Sequence, residues 1–213
     1  MLKGDHPEIE ALAQGLPVRR ITDEYVPAGV RRDAVHQGVF ALVRGKALAQ
    51  SYKDFIETVK ITENTSFVLL DEITDPQNVG AIIRSSTAFG VTAVLLPIHR
   101  QAPVTGAVVK VSAGTAFRIP IVMIGNVNTT IRDLKDRGCW VYGLDAHAET
   151  TIYKESFSKP SVFVFGSEGR GVRQKTEELC DIMLSIPMAP ECESLNVSNS
   201  AAVTLSTWYT RRA

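Results

Sequence analysis

The stretch that decides the fold is residues 67–96, FVLLDEITDPQNVGAIIRSSTAFGVTAVLL. It predicts a strand over 67–71, a helix that begins at Asp75 and ends before Gly90, and a second strand over 91–96. Aspartate is a common helix-capping residue, and glycine commonly follows the last turn of a helix. Apart from Asp71 and Thr92, both strands are apolar rather than alternating, which is typical of strands covered by helices on both faces.

The same alternation continues along the chain. Further strands are predicted over 117–122, 140–144, 161–165 and 182–186, and helices over 106–112, 129–137, 174–180 and 195–212. A short strand over 38–43 and a helical stretch or linker over 47–59 precede this regular part. The pattern predicts an α/β fold whose parallel sheet is flanked by helices. Ligands of such sheets bind at the carboxyl ends of the strands, so the loops after residues 70, 144, 165 and 186 are candidate sites.

Composition narrows the function classes. The chain has 213 residues, and its 23 Lys and Arg balance its 23 Asp and Glu, so the net charge is zero. This excludes a protein whose whole surface is strongly basic and binds nucleic acid, but it does not exclude a local basic patch. Three cysteines without paired spacing, Cys139, Cys180 and Cys192, predict free thiols rather than disulfides or a zinc site. With no signal-peptide pattern and no membrane-length apolar run, we expect a cytoplasmic protein that uses no metal.

Several familiar motifs are missing from the sequence. No G-x-G-x-x-G separates a strand from a helix, which argues against a nucleotide-binding dehydrogenase. Neither a phosphate-binding loop nor a G-x-S-x-G nucleophile elbow is present. Residue patterns alone therefore indicate an α/β protein with a site at its strand ends.

Three blocks carry a more specific signal: DPQNVGAIIRSSTAFG at 75–90, VFGSEGRG at 164–171 and LSIPMAPECESLNVS at 184–198. In order and spacing they resemble the SpoU (TrmH) family of RNA ribose 2′-O-methyltransferases, within the SPOUT superfamily. The resemblance covers residues 36–212. It implies an α/β fold with a trefoil knot, S-adenosylmethionine bound by the knot loops, and a homodimer. It also implies a partial N-terminal RNA-binding module over 1–45, a linker over 46–65 and a catalytic domain over 66–213.

The resemblance also assigns roles to residues. Catalytic roles fall on Asn78, Arg84, Glu168, Ser194 and Asn196, and cofactor-binding roles on Leu144, Gly166, Ile186, Met188 and Leu195. The residue chemistry is compatible with these roles, because glycine lets a backbone approach a ligand closely and a carboxylate holds neighbours by charge-assisted hydrogen bonds. Simpler interpretations stay open: a tight turn for Gly166, helix capping for Ser194 and Asn196, and a surface ion pair for Arg84.

The implied reaction is methylation of a ribose 2′-hydroxyl, and the run His36-Gln37-Gly38 is similar to the group acting on a guanosine of 23S ribosomal RNA. Transfer RNA is the close alternative substrate, and a non-catalytic RNA-binding knot protein is the alternative from another class. The sulfonium methyl is already electrophilic, so alignment and proton removal are the tasks of the protein, and Arg84 is the residue expected to act on the hydroxyl. The sequence departs from the family at Ser85-Ser86-Thr87 and at Asn199.

Overall fold

The computed structural model describes residues 1–30, 32, 35–44 and 48–212. The chain divides into two compact units, Met1–Arg44 and Gly45–Ala213. The predicted boundary between residues 45 and 46 lies outside the described residues. In the parts of the chain that are described, no helix combines the length and apolarity needed to cross a bilayer.

The first unit has little regular structure in its described part. Its helix α1 (Pro7–Leu12) contains no buried residue. Leu2 forms isolated bridges to Arg20 and Val39, and the buried apolar residues of the described part include Leu2, Pro27 and Phe40. The prediction of a strand over 38–43 is wrong, because the chain turns at Gln37 and Gly38, whose φ angles are 48° and 77°, and pairing is confined to the bridge at Val39.

The second unit alternates strands and helices. Its strands are β1 (Gln50–Ser51), β2 (Ser66–Asp71), β3 (Ala93–Pro97), β4 (Ile121–Ile124), β5 (Trp140–Leu144), β6 (Thr150–Thr151), β7 (Ser161–Gly166) and β8 (Ile182–Ser185). Its helices are α2 (Tyr52–Thr58), α3 (Pro76–Ala88), α4 (Gly106–Val111), α5 (Val127–Asp136), α6 (Gln174–Glu177) and α7 (Val197–Thr210).

The strands form one sheet in the order β1-β4-β3-β2-β7-β5-β8-β6, and every described pairing in it is parallel. This confirms the predicted α/β class. The centre of the sheet is the β2–β7 pair, which runs in register from Ser66 opposite Ser161 to Asp71 opposite Gly166. Both central strands are buried over their whole length, as their continuous apolar sequences predict.

Helices cover both faces of the sheet. Val68 and Leu70 of β2 belong to the core that also contains apolar residues of α3, α4 and α7. The intervening Phe67 and Leu69 belong to the opposite core, with residues of α2 and α5. The two-residue period of a strand thus divides one apolar run between two cores, which is why every position of that run is apolar.

Several element boundaries differ from the sequence predictions. Asp75 caps α3 as predicted, since its carboxylate accepts a hydrogen bond from Gln77 N at 2.9 Å. The strand predicted over 117–122 is shifted to Ile121–Ile124, because Thr115–Phe117 form a 3-10 turn and Pro120 separates that turn from the strand. Residues 50–58, within the predicted linker, form β1 and α2, and β1 pairs with β4.

Candidate active site

A cleft of about 420 Å³ opens at the carboxyl ends of β5, β7 and β8. Its lining comprises residues 144–147, 165–171, 184, 186, 188, 193–195, 197 and 200. These segments follow three parallel strands or lead into α7, the region where ligands of parallel sheets bind. The volume lies within the range of ~300–1,000 Å³ that is usual for small-molecule sites.

All five residues predicted to bind a cofactor line this cleft: Leu144, Gly166, Ile186, Met188 and Leu195. They lie on three segments that are distant in sequence: the ends of β5 and β7 and the connection between β8 and α7. The apolar side chains among them give the cleft a surface suited to an aromatic or thioether group, while the exposed backbone of the loops offers hydrogen-bonding groups. The structure brings these positions together, and their binding role stays a prediction.

Position 166 requires glycine because the backbone of the same chain packs closely against it. A side-chain carbon at this position would collide with the backbone of Gly171 and Val172. The loop that leaves β7 turns back over its strand here, and Gly171 N donates to Ser167 O at 2.8 Å. The sequence suggested that a ligand approaches Gly166 closely, whereas the structure shows that the loop backbone lies there.

Glu168 joins two other predicted residues. Its Oε1 accepts a hydrogen bond from Nδ2 of Asn78 and another, at 3.4 Å, from Nδ2 of Asn196. Asn78 is only 4% exposed and lies in the first turn of α3, whereas Asn196 precedes α7. One carboxylate therefore connects three segments that are far apart in the chain, and it lines the cleft.

Asn196 also caps α7, so the simpler interpretation of this residue holds together with its contact to Glu168. Its Oδ1 accepts from Ser198 N at 2.8 Å and from Ser198 Oγ at 2.6 Å, while its Nδ2 points to Glu168. The cap sets the direction of the amide, because the oxygen is fixed by the helix and the nitrogen must face the other way. Ser194 lies on the cleft wall and is exposed.

Arg84 stands apart from the other predicted catalytic residues. It lies on α3, six residues after Asn78, and is exposed. It does not line the cleft, and no partner for its guanidinium is found among the described residues. The surface ion pair considered from the sequence is therefore not formed with any described residue.

Sequence reasoning missed polar residues of the cleft and its surroundings. Asp145, His147, Arg170 and Glu193 line it, and their position just after predicted strands or before the closing helix was the available signal. The ion pair between buried Asp71 and exposed Arg173 was also missed. The carboxylate of Asp71 raises the pKa of Arg173 through a side-chain hydrogen bond. No group of three or more His, Cys, Asp or Glu side chains suited to a metal ion is found in the described part of the chain.

The chain was compared with protein families and with known proteins. The model of the SpoU rRNA Methylase family matches residues 65–206. The 23S rRNA (guanosine-2′-O-)-methyltransferase RlmB of Xanthomonas campestris pv. campestris is 40% identical over 199 residues, which cover 93% of this chain and 79% of that protein.

Solved structures give the same result. The SpoU methyltransferase AviRb from Streptomyces viridochromogenes, in complex with the cofactor AdoMet, matches with a TM-score of 0.69 and 29% identity. That match covers 74% of this chain and 61% of the AviRb chain. A second AviRb structure, 22% identical over the match, shows the likeness in fold over 99% of this chain and 80% of that one, with a TM-score of 0.77. By the extent of the family match and the identity to its relatives, the chain belongs to the SpoU rRNA methylase family.

Proposed function

We propose that this protein transfers a methyl group from S-adenosylmethionine to the ribose 2′-hydroxyl of a guanosine in 23S ribosomal RNA. The observation that carries the proposal is the contact of Glu168 with Asn78 and Asn196 at the wall of the cleft. The family match, the name of the RlmB relative and the AdoMet complex of AviRb support the reaction and the cofactor.

The cleft fits the cofactor in size and in chemistry. Leu144, Ile186 and Leu195 offer apolar surface to an adenosyl group, and the backbone of loop 165–171 offers polar groups to the amino-acid part. Acidic side chains of the wall, Asp145 and Glu193, suit a ligand that carries a sulfonium and an ammonium charge. When bound there, S-adenosylmethionine supplies the electrophilic methyl group.

The protein must align the ribose oxygen with that methyl group and accept the hydroxyl proton. Glu168 orients the two asparagine amides, and these amides with Ser194 hold the ribose at the cleft wall. Arg84 acts on the 2′-hydroxyl, either directly or through a phosphate of the RNA. An arginine keeps its proton under ordinary conditions, so Arg84 polarises and positions the oxygen, and the hydroxyl proton passes to solvent water.

The position of Arg84 outside the cleft of its own chain favours a homodimer whose two-fold interface includes α3 and α7. One side of α7 is buried through Ala201, Leu205 and Trp208, whereas Tyr209 remains 50% exposed. Small residues of α3, Ala81 and Ser85, permit close approach of a second copy. Light scattering at micromolar concentration is expected to give about twice the chain mass of 23.3 kDa. A monomer that is active on RNA would contradict this proposal.

Mixed dimers test whether Arg84 completes the partner's site. Arg84→Ala and Glu168→Ala chains are each expected to lose methyl transfer while Arg84→Ala keeps cofactor affinity. When the two inactive variants are mixed and their subunits exchange, half of the dimers contain one chain of each variant. If Arg84 acts on the partner's cleft, each such mixed dimer has one intact site, so about a quarter of wild-type activity returns. If no activity returns, Arg84 acts within its own chain or is structural.

Further properties belong to the same proposal. The proposal includes the trefoil knot that the family resemblance implies; in the sheet, β7 lies between β2 and β5. We assign residues 1–45 to a partial RNA-binding module, 46–65 to a linker and 66–213 to the catalytic domain, and place the protein in the cytoplasm, where ribosomal RNA is processed. The reaction needs no metal.

The deciding experiment measures transfer of labelled methyl groups to 23S ribosomal RNA and to transfer RNA, followed by mapping of the modified nucleotide. We expect label in a guanosine of 23S RNA, also with a chelator present. Label in transfer RNA would move the substrate to the alternative class. Calorimetry with the chelator checks the cofactor separately, and no heat of binding at millimolar S-adenosylmethionine would contradict the site.

A further inference from the structure

Asp71 lies next to both ends of the loop that carries Glu168. Asp71 is the last residue of β2, is fully buried, and is the register partner of Gly166, where the loop begins. Its carboxylate is bound by Arg173, where the loop ends: Nη2 lies 2.6 Å from Oδ1, and Nε donates to Oδ2 at 3.1 Å. A buried carboxylate is costly unless an opposite charge and hydrogen bonds meet it. Arg173 supplies the charge against Oδ1 and the hydrogen bond to Oδ2, while Oδ1 accepts no hydrogen bond from the described residues.

The loop between these ends, residues 167–172, is also closed internally. Gly171 N donates to Ser167 O at 2.8 Å, and the backbone of Gly171 lies against Gly166. Outside the loop, Arg173 Nη1 lies 3.2 Å from Glu72 Oε1, and so does Arg100 Nη1. The loop is therefore held at its base by charges, while Glu168 on it contacts the two asparagines.

We infer that Asp71 and Arg173 are positioning residues for methyl transfer: their ion pair fixes loop 167–172 so that Glu168 meets Asn78 and Asn196. The inference rests on the proposed function. Neither Asp71 nor Arg173 lines the cleft, so the pair acts through the loop and not on the substrate or cofactor. Two contacts to the carboxylate, from Nη2 and from Nε, restrict the guanidinium of Arg173 more than a single contact would.

The first test is turnover on 23S RNA. Arg173→Gln is expected to lower kcat at least about tenfold, and Arg173→Lys, which keeps the charge but loses the fork, to lower it less. The matched control is Arg137→Gln, which breaks another arginine–aspartate pair, 2.9 Å from Arg137 Nε to Asp133 Oδ2, at α5. The control is expected to keep kcat within about twofold, since exposed pairs contribute little. Equal kcat in Arg173→Gln and wild type would overturn the inference.

The second test asks whether the pair acts through Glu168. In a Glu168→Gln background, adding Arg173→Gln is expected to change the residual kcat by less than about twofold, because residues that act through one another are not additive. A tenfold loss in both backgrounds would show that Arg173 affects the protein independently of Glu168, and would overturn the inference.

The third test does not depend on activity. Arg170 is an exposed residue of the loop, so trypsin reports how firmly the loop is held. Cleavage after Arg170 is expected to be faster in Arg173→Gln than in wild type or Arg137→Gln. If Arg173→Gln fails to fold, the same measurements are made on Arg173→Lys. A cleavage rate and a kcat equal to those of the wild type in Arg173→Lys would then overturn the inference. If the wild type transfers no methyl group to RNA, the proposed function fails, while the cleavage rates still decide whether the pair holds the loop.

Discussion

Two loops line the same cleft and are held in opposite ways. The anchored loop, residues 167–172, is fixed at its end by the ion pair of Arg173 with buried Asp71, by its internal bond and by the contacts of Glu168 to two asparagines. The open loop, residues 186–195, is exposed over most of its length. Its internal bonds join Cys192 N to Ala189 O at 2.9 Å and Cys192 Sγ to Ser194 O at 3.4 Å.

The difference indicates a division of work between the loops. A reacting group must be held within a fraction of an ångström of its productive position, which requires fixed supports. Entry of a cofactor and of a large RNA requires a surface segment that can move. On the proposed function, the anchored loop carries the carboxylate that orients the asparagines, and we expect ligands to enter along the open loop.

The largest expected effect comes from Gly166→Ala. The added carbon collides with the backbone of Gly171, which no rotamer can relieve. Such overpacking costs ~1–3 kcal/mol of the free energy of unfolding, and displacement of the anchored loop is expected to abolish methyl transfer. Chemical denaturation and methyl transfer measure the two consequences.

Gly169→Ala is the matched control in the same loop. A side-chain carbon there meets no atom within 4 Å, and the φ angle of Gly169 is not positive. Its unfolding free energy is therefore expected to stay within ~0.5 kcal/mol of wild type. Equal stability of both variants would show that the loop does not cross Gly166 closely.

The elements of the sheet were largely predictable from local sequence. The apolar runs at 67–71, 140–144 and 161–165 predict three strands. Strands that are covered on both faces are apolar at nearly every position, so a short apolar run identifies them. Local patterns are misleading at 38–43, where the φ angle of Gly38 is positive, and at 117–122, where Pro120 interrupts the apolar run. The position of β7 between β2 and β5 depends on long-range pairing, which local patterns do not contain.

The candidate site was predictable where the three sequence blocks meet and not elsewhere. Asn78, Glu168 and Asn196 each lie in a different block, and the structure joins them. Asp71 and Arg173 are 102 residues apart, and each has an ordinary local explanation as a strand end and a solvated helix start. Only the fold shows that one is buried and that the other neutralises it.

A second prediction compares the loops directly by turnover. Glu168→Ala is expected to lower kcat about 100-fold or more, equivalent to ~2.7 kcal/mol of barrier, because two asparagine amides lose their common acceptor. Ser194→Ala in the open loop is expected to lower kcat about tenfold or less, since Ser194 is an exposed single hydroxyl. Steady-state kinetics on 23S RNA measures both, and the reverse order would contradict the division of work.

The smallest expected effect is a change in thiol reactivity. Burial raises the pKa of Cys139 to about 11 and that of Cys180 to about 12, so both remain protonated thiols at neutral pH. Cys192 is exposed on the open loop and lines a second cleft, of about 550 Å³, that shares Ile186, Met188 and Glu193 with the first. Iodoacetamide at pH 8 is therefore expected to label Cys192 first.

S-adenosylmethionine is expected to slow this labelling several-fold, because a ligand against Ile186 and Met188 orders the open loop and covers its thiol. Cys192→Ser removes the fast phase and so assigns it, and Cys139 with Cys180 serve as internal references whose slow rates are expected not to change. Peptide mass spectrometry over time measures each site separately. If the labelling rate of Cys192 is unchanged at saturating S-adenosylmethionine, the cofactor does not order the open loop. The open loop would then move only for RNA, and the cofactor would have to enter along the anchored loop.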